Sequence, residues 1–235
     1  MLAIYKREMR SYFTGVIGYV FLVLFLAVGG AIFCLTTLFS MSASVATYYT
    51  YMLLVCAVIL PLLTMKSFSD ERRTKTEQLL LTAPVSLSGM VMGKFFAAYT
   101  MFSGALVVNS LYFLILYRYA AVKTAMLIGN VIALLLVGMV FIAIGLFVSA
   151  ITENQLSAAV GTMAIIIVFL AIGLINTLLP NEYWLRYVIN ALSVFSRFQT
   201  FTNGYFDLSS LVYYLSVSAI FLYLTVRVYD RRRYS

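Results

Sequence analysis

Charge is scarce in this sequence and unevenly placed, so the positions able to do chemistry are few. The stretch Lys66–Lys94, KSFSDERRTKTEQLLLTAPVSLSGMVMGK, holds Lys66, Asp70, Glu71, Arg72, Arg73, Lys75, Glu77 and Lys94 between long apolar segments. Glu71 with Lys75, and Arg73 with Glu77, are spaced four apart, the spacing at which helical side chains pair. A charged helix face of this kind is expected to meet a soluble partner. Gly89–Lys94 reads G-M-V-M-G-K before Phe95. A phosphate-binding P-loop needs four residues between its glycines and Ser or Thr after the lysine. If the chain takes part in active transport, the ATPase is therefore a separate chain. With no histidine and five scattered Glu, no metal-ligand cluster can be drawn. Cys34 and Cys56 lack CxxC spacing and read as small apolar core residues. No span carries a GxSxG motif, so intramembrane catalysis is not indicated.

The elements that must position these charges are written in the hydropathy. The 235 residues are 63% hydrophobic and 10% charged, against about 45–50% and 25% in soluble domains. The net charge is +8, but its cations sit at segment ends and act as topology signals. A nucleic-acid partner is not expected. Six windows are long enough to cross a bilayer: Ile17–Phe39, Tyr48–Met65, Phe95–Tyr117, Thr124–Ala150, Leu156–Leu179 and Leu211–Val228. The expected fold is an all-α, multi-pass membrane protein, one transmembrane domain over residues 1–235. Twelve of the 16 Lys and Arg fall on one side of this arrangement, which puts both termini and the Lys66–Lys94 loop in the cytosol. No window has a charge in its interior, which argues against proton- or sodium-coupled transport. Asn109, Asn130 and Asn176 remain inside the windows, as helix bridges or substrate contacts.

Several finer expectations follow. Met1–Thr14 is an interfacial helix, aromatic side toward the membrane. Pro61 kinks or ends the second span. Ser69 caps a helix over Asp70–Leu81 that lies parallel to the membrane and stops at Pro84, and Ser86 or Ser88 caps the third span. Gly145 with Ser149, and Ser157 with Gly161, permit close helix approach within one subunit or between two. Thr152–Gln155 makes a tight hairpin. Pro180–Ser210 carries Trp184, Tyr187, Phe195, Phe198 and Phe201 at helical spacing. It reads as an outer amphipathic or re-entrant segment with its aromatics at headgroup depth, a lid or a passive anchor.

The run from Asp70 to Ser86, DERRTKTEQLLLTAPVS, followed by Gly93-Lys94-Phe95, resembles the EERRxGTxExLLxxPVS…GK signature of ABC-2 type permeases. Arg10-Ser11-Tyr12-Phe13, Ile17-Gly18-Tyr19, Gly145–Ser149 with Thr152–Gln155, and Phe198-x-x-Phe201-x-x-Gly204 are similar to the same family, in its gliding-motility branch. The resemblance covers essentially the whole chain. It implies a non-catalytic permease subunit of an ATP-driven exporter in a bacterial inner membrane. Such a subunit dimerises as a homo- or heterodimer and pairs with two cytosolic ATPase subunits, which hold the ATP and Mg. In some relatives a companion membrane protein with a periplasmic domain takes part. Asp70, Glu71, Arg72, Arg73, Lys75, Thr76, Glu77 and Glu153 are the residues this implies for ATPase coupling, on a coupling helix between spans two and three. Lys75 stands where the family usually has Gly, a change expected to straighten that helix. The competing reading is a structural or assembly protein that recruits a cytosolic partner without transporting anything.

Overall fold

The computed structural model describes residues 1–40, 44–76, 86–119, 124–178, 193–202, 204 and 207–233. Every regular element among them is helical. They are α1 (Leu2–Thr14), α2 (Val16–Phe33, running on through a π-helical turn, Cys34–Phe39), α3 (Val45–Thr64), α4 (Lys66–Arg73) and α5 (Leu87–Ser110). After these come α6 (Tyr112–Tyr119), α7 (Thr124–Ile151), α8 (Gln155–Leu178), α9 (Val194–Thr202) and α10 (Leu208–Arg233). Six stretches are long and apolar enough to cross a membrane: Val16–Phe39, Val45–Arg73, Leu87–Leu116, Thr124–Ile151, Gln155–Gly173 and Leu208–Arg233. The chain is a helical, multi-pass membrane protein by this measure.

The bundle is built around α7. It has the highest mean hydropathy of the six, 3.1, and the largest buried share, 72%. It packs against α3, α4, α5, α8, α9 and α10. Glycine lets its neighbours come close. A Cβ at Gly138 would stand 2.0 Å from the Phe102 ring, and one at Gly145 would stand 2.1 Å from Thr64 Oγ1. Gly145 thus serves packing within the chain, as does Gly161 against Val148. The outermost spans are α2, 28% buried, and α10, 17% buried, and their remaining apolar surface faces outward.

Helix starts follow local chemistry. Ser44 and Ser86 accept hydrogen bonds from the amides of Thr47 and Gly89, so Ser86 is the cap of the third span. Asp207 accepts from the amides of Ser209 and Ser210 at the start of α10.

The second span departs from expectation. Pro61 does not end it: Met65 N–H donates to Pro61 O at 2.9 Å, and the chain continues past one turn residue into α4. Val45–Arg73 is 29 residues, about 43 Å at 1.5 Å per residue, against a hydrocarbon core of about 30 Å. The stretch is thus longer than a crossing needs, and the charged α4 forms its last eight residues. Ser69 lies inside α4, its hydroxyl donating to Met65 O, and does not cap a helix that begins at Asp70. Residues 77–85, with Glu77, Leu79–Leu81 and Pro84, fall outside the described residues.

Candidate functional site

The charges singled out in the sequence meet at one end of the bundle, where α1, α4, α5 and the α7–α8 turn converge. Each arrives by helical register. On α5, Lys94 shares a face with Ala98, Met101 and Ala105, all buried, so it points into the bundle. On α1, Glu8 lies one turn from buried Ile4 and one turn from Tyr12, whose hydroxyl donates to Leu63 O at 3.4 Å. On α4, Ser67, Phe68 and Ser69 are buried, which fixes the directions of Asp70, Glu71 and Arg72.

Lys94 is the centre of the arrangement and is only 1% exposed. Its Nζ lies 2.9 Å from Glu71 Oε1 and 3.5 Å from Glu8 Oε1. It also donates to Ser67 O and sits 4.6 Å from the centre of the Phe68 ring. Arg7 closes the set, one terminal nitrogen lying 2.7 Å from each carboxylate. Burial by itself would lower the Arg7 pKa, yet Glu8 and Glu71 hold it above its ordinary value. Two cations and two carboxylates thus compensate one another, with Lys94 buried and Arg7 half exposed at the rim, and the pairing is the condition under which the buried charge is tolerated. A polar cleft of about 250 Å³ opens beside them, lined by Arg7, Tyr12, Lys66, Asp70, Glu71 and Lys94 among others.

The opposite side of α4 is tied to the α7–α8 turn. Asp70 accepts from Gln155 Nε2 at 2.8 Å, and Arg72 meets Glu153 at 2.7 Å. Arg72 also donates to Ile151 O and Arg232 to Ala150 O, the latter at 2.7 Å. Guanidiniums thereby satisfy carbonyls left open at the C-terminus of α7. Ser149 Oγ accepts from the amides of Phe68 and Ser69, at 3.0 and 3.1 Å, and donates to Met65 O. It bridges the break between α3 and α4. Phe68 packs against Tyr229 of α10, the ring centres 5.0 Å apart and the rings tilted at 40°. α4 is therefore held by α1, α5, α7, α8 and α10 together.

The sequence pairings are corrected here. Glu71 pairs with Arg7 and Lys94, not with Lys75; Arg73 reaches Asp70 at 3.4 Å, and its expected partner Glu77 lies outside the described residues. Lys75 does not straighten the helix. It follows the end of α4 with φ 57°, the left-handed region that favours glycine. Its N–H bonds to Arg72 O, and that of Thr74 to Asp70 O. Thr76 Oγ1 lies 3.0 Å from Thr74 Oγ1 and 3.4 Å from Glu71 O. Lys94 was placed just outside the third window, but α5 begins at Leu87 and carries it inside. Its signal was the register with Ala98 and Met101. The N-terminal helix is likewise more than a surface float: Ile4 is buried, and Tyr5 donates to Thr100 at 3.3 Å.

At the other end of the bundle, α9 carries Phe195, Phe198 and Phe201. Phe198 and Phe201 are 0% and 1% exposed, packed against neighbouring helices at this end of the bundle. Phe195 sits against Gly173 of α8, and Val194 O accepts from Tyr214 at 2.9 Å. Trp184 and Tyr187 fall outside the described residues. Asn109 lies against Gly29 and Met52, and Asn130 donates to Met126 O. The side chain of Asn176 is outside the description. Among the described residues no three His, Cys, Asp or Glu converge on a point. Comparison with family models and with curated proteins finds no match.

Proposed function

We propose that this chain is a permease subunit of an ATP-driven exporter of ABC-2 type, with α4 as the element that receives force from a separate ATPase. One observation carries the reading: a charged helix that extends a span is cross-tied to four other spans or their turns, while part of its surface stays open. Lys66 is 46% and Arg73 66% exposed. The inward groups, Glu71, Asp70 and Arg72, are committed to α1, α5 and the α7–α8 turn. A push on the open face of α4 is thus delivered to α5, α7 and α8 at once, as an energy-coupling element requires. Orientation by basic residues puts this end in the cytosol, on the side where ATP is available. Among the described residues the Asp, Glu, Lys and Arg of the spans gather near this end and form no relay across them, so the energy enters through the partner. Two copies of the chain with two ATPases complete the assembly.

The test is purification of the chain with its associated subunits from native membranes, followed by an ATP-hydrolysis assay. Arg73→Glu is expected to weaken retention of the ATP-hydrolysing subunit and its activity at least tenfold, with the melting temperature of the permease unchanged. A complex that hydrolyses ATP equally well with Arg73→Glu removes the coupling role of α4. A complex with no ATP-hydrolysing subunit leaves the assembly-protein reading.

A further inference from the structure

A second charged feature lies between α7 and α10, apart from the Lys94 cluster. A cavity of about 500 Å³ is lined by the apolar Phe147, Leu224 and Val228 and by the charged Arg227, Asp230 and Arg231. Leu224, Arg227, Val228 and Arg231 recur at three- and four-residue spacing, which puts an apolar wall and two guanidiniums on one face of α10. The uncharged run Leu208–Val226 covers about 28 Å, close to the hydrocarbon thickness. Arg227 therefore stands at the level where a bilayer changes from chains to headgroups. Its geometry is preset: Nε donates to Tyr223 Oη at 2.7 Å, and the guanidinium lies 5.2 Å from that ring. Its remaining ion pair, to Asp230, is long at 3.7 Å and exposed. Arg231, one turn further on, makes no hydrogen bond or ion pair among the described residues.

We propose that this cavity seats an anionic phospholipid. The phosphodiester bridges Arg227 and Arg231, and the first part of an acyl chain lies against Phe147, Leu224 and Val228. Charge complementarity selects the occupant. Two cations face one carboxylate, leaving one net positive charge for a headgroup that brings one negative charge. A zwitterionic headgroup would bring an amine toward Arg231. The apolar wall selects a lipid over a free anion, because inorganic phosphate leaves Phe147, Leu224 and Val228 uncovered.

The experiment measures the melting temperature of the detergent-purified chain with added phosphatidylglycerol, phosphatidylcholine, phosphatidylethanolamine or inorganic phosphate. Bound lipid is counted by native mass spectrometry in parallel. Phosphatidylglycerol is expected to raise the melting temperature by roughly 5 °C near saturation, and the other three by much less. Arg227→Gln with Arg231→Gln should abolish the difference, Arg233→Gln should preserve it, and Asp230→Asn should enlarge it. Equal protection by phosphatidylcholine or phosphatidylethanolamine overturns the proposal, as does a phosphatidylglycerol effect that survives in the double variant. Protection by inorganic phosphate equal to that by phosphatidylglycerol overturns the acyl-chain part and leaves a soluble-anion site.

Discussion

Replacing Lys94 by Met isolates the electrostatic part of the cluster. Methionine fills nearly the same volume as the lysine stem, so packing against Phe68 and Ala98 changes little. The charge, however, disappears from a site 1% exposed. Glu8 and Glu71, 14% and 16% exposed, are then left sharing Arg7, which is 51% exposed and well screened. Removing one partner of a buried ionic set costs about 3–5 kcal/mol, because the remaining charge stays desolvated. In a chain of this size that corresponds to a fall in melting temperature of roughly 6–20 °C. The assay is thermal unfolding in detergent, followed by the fluorescence of Trp184. The double variant Lys94→Met with Glu71→Gln supplies the control, since it removes the stranded charge along with its partner. It should recover at least half of the loss. A Lys94→Met protein that melts within about 2 °C of the parent would refute the reasoning, and so would a double variant less stable than the single one.

Two further outcomes follow from backbone geometry. Lys75→Gly should stabilise the chain by about 0.5–1 kcal/mol, because φ 57° strains a residue with a Cβ and not glycine. Lys75→Val should destabilise it, and the pair is read by the same melting assay. Asp207 has its pKa held below the usual carboxylate range, first by the Ser210 hydroxyl and then by the Ser209 amide. A depressed folded-state pKa means the cap contributes fully above the unfolded value near 4 and is lost as pH falls below that value and through the lower folded-state pKa. Hydrogen exchange at Ser209–Leu211 should therefore accelerate relative to Asp207→Asn once pH falls below the folded-state pKa of Asp207, and match it at neutrality. Equal rates at both would remove the cap from α10.

Hydrophobic length by itself determined the six spans, because a lipid-facing or buried helix must be apolar over its whole crossing and no tertiary contact relaxes that demand. Local chemistry narrowed the cap of the third span to Ser86 or Ser88, and the structure selects Ser86, whose hydroxyl accepts from the amide three residues on. The sequence also marked the Lys66–Lys94 stretch and the Thr152–Gln155 turn as charged, but not that they join. Arg72 with Glu153, and Asp70 with Gln155, are some eighty positions apart, beyond any periodicity argument. Within α4 the local spacing misled, since Glu71 found stronger partners on α1 and α5 than the Lys75 one turn away. The inward turn of Phe198 and Phe201 has the same origin, for helical spacing shows that a face exists but not what covers it. Tertiary structure alone decided that Lys94 is a buried hub, because one lysine near a window's end reads as a boundary until a carboxylate from elsewhere comes to meet it.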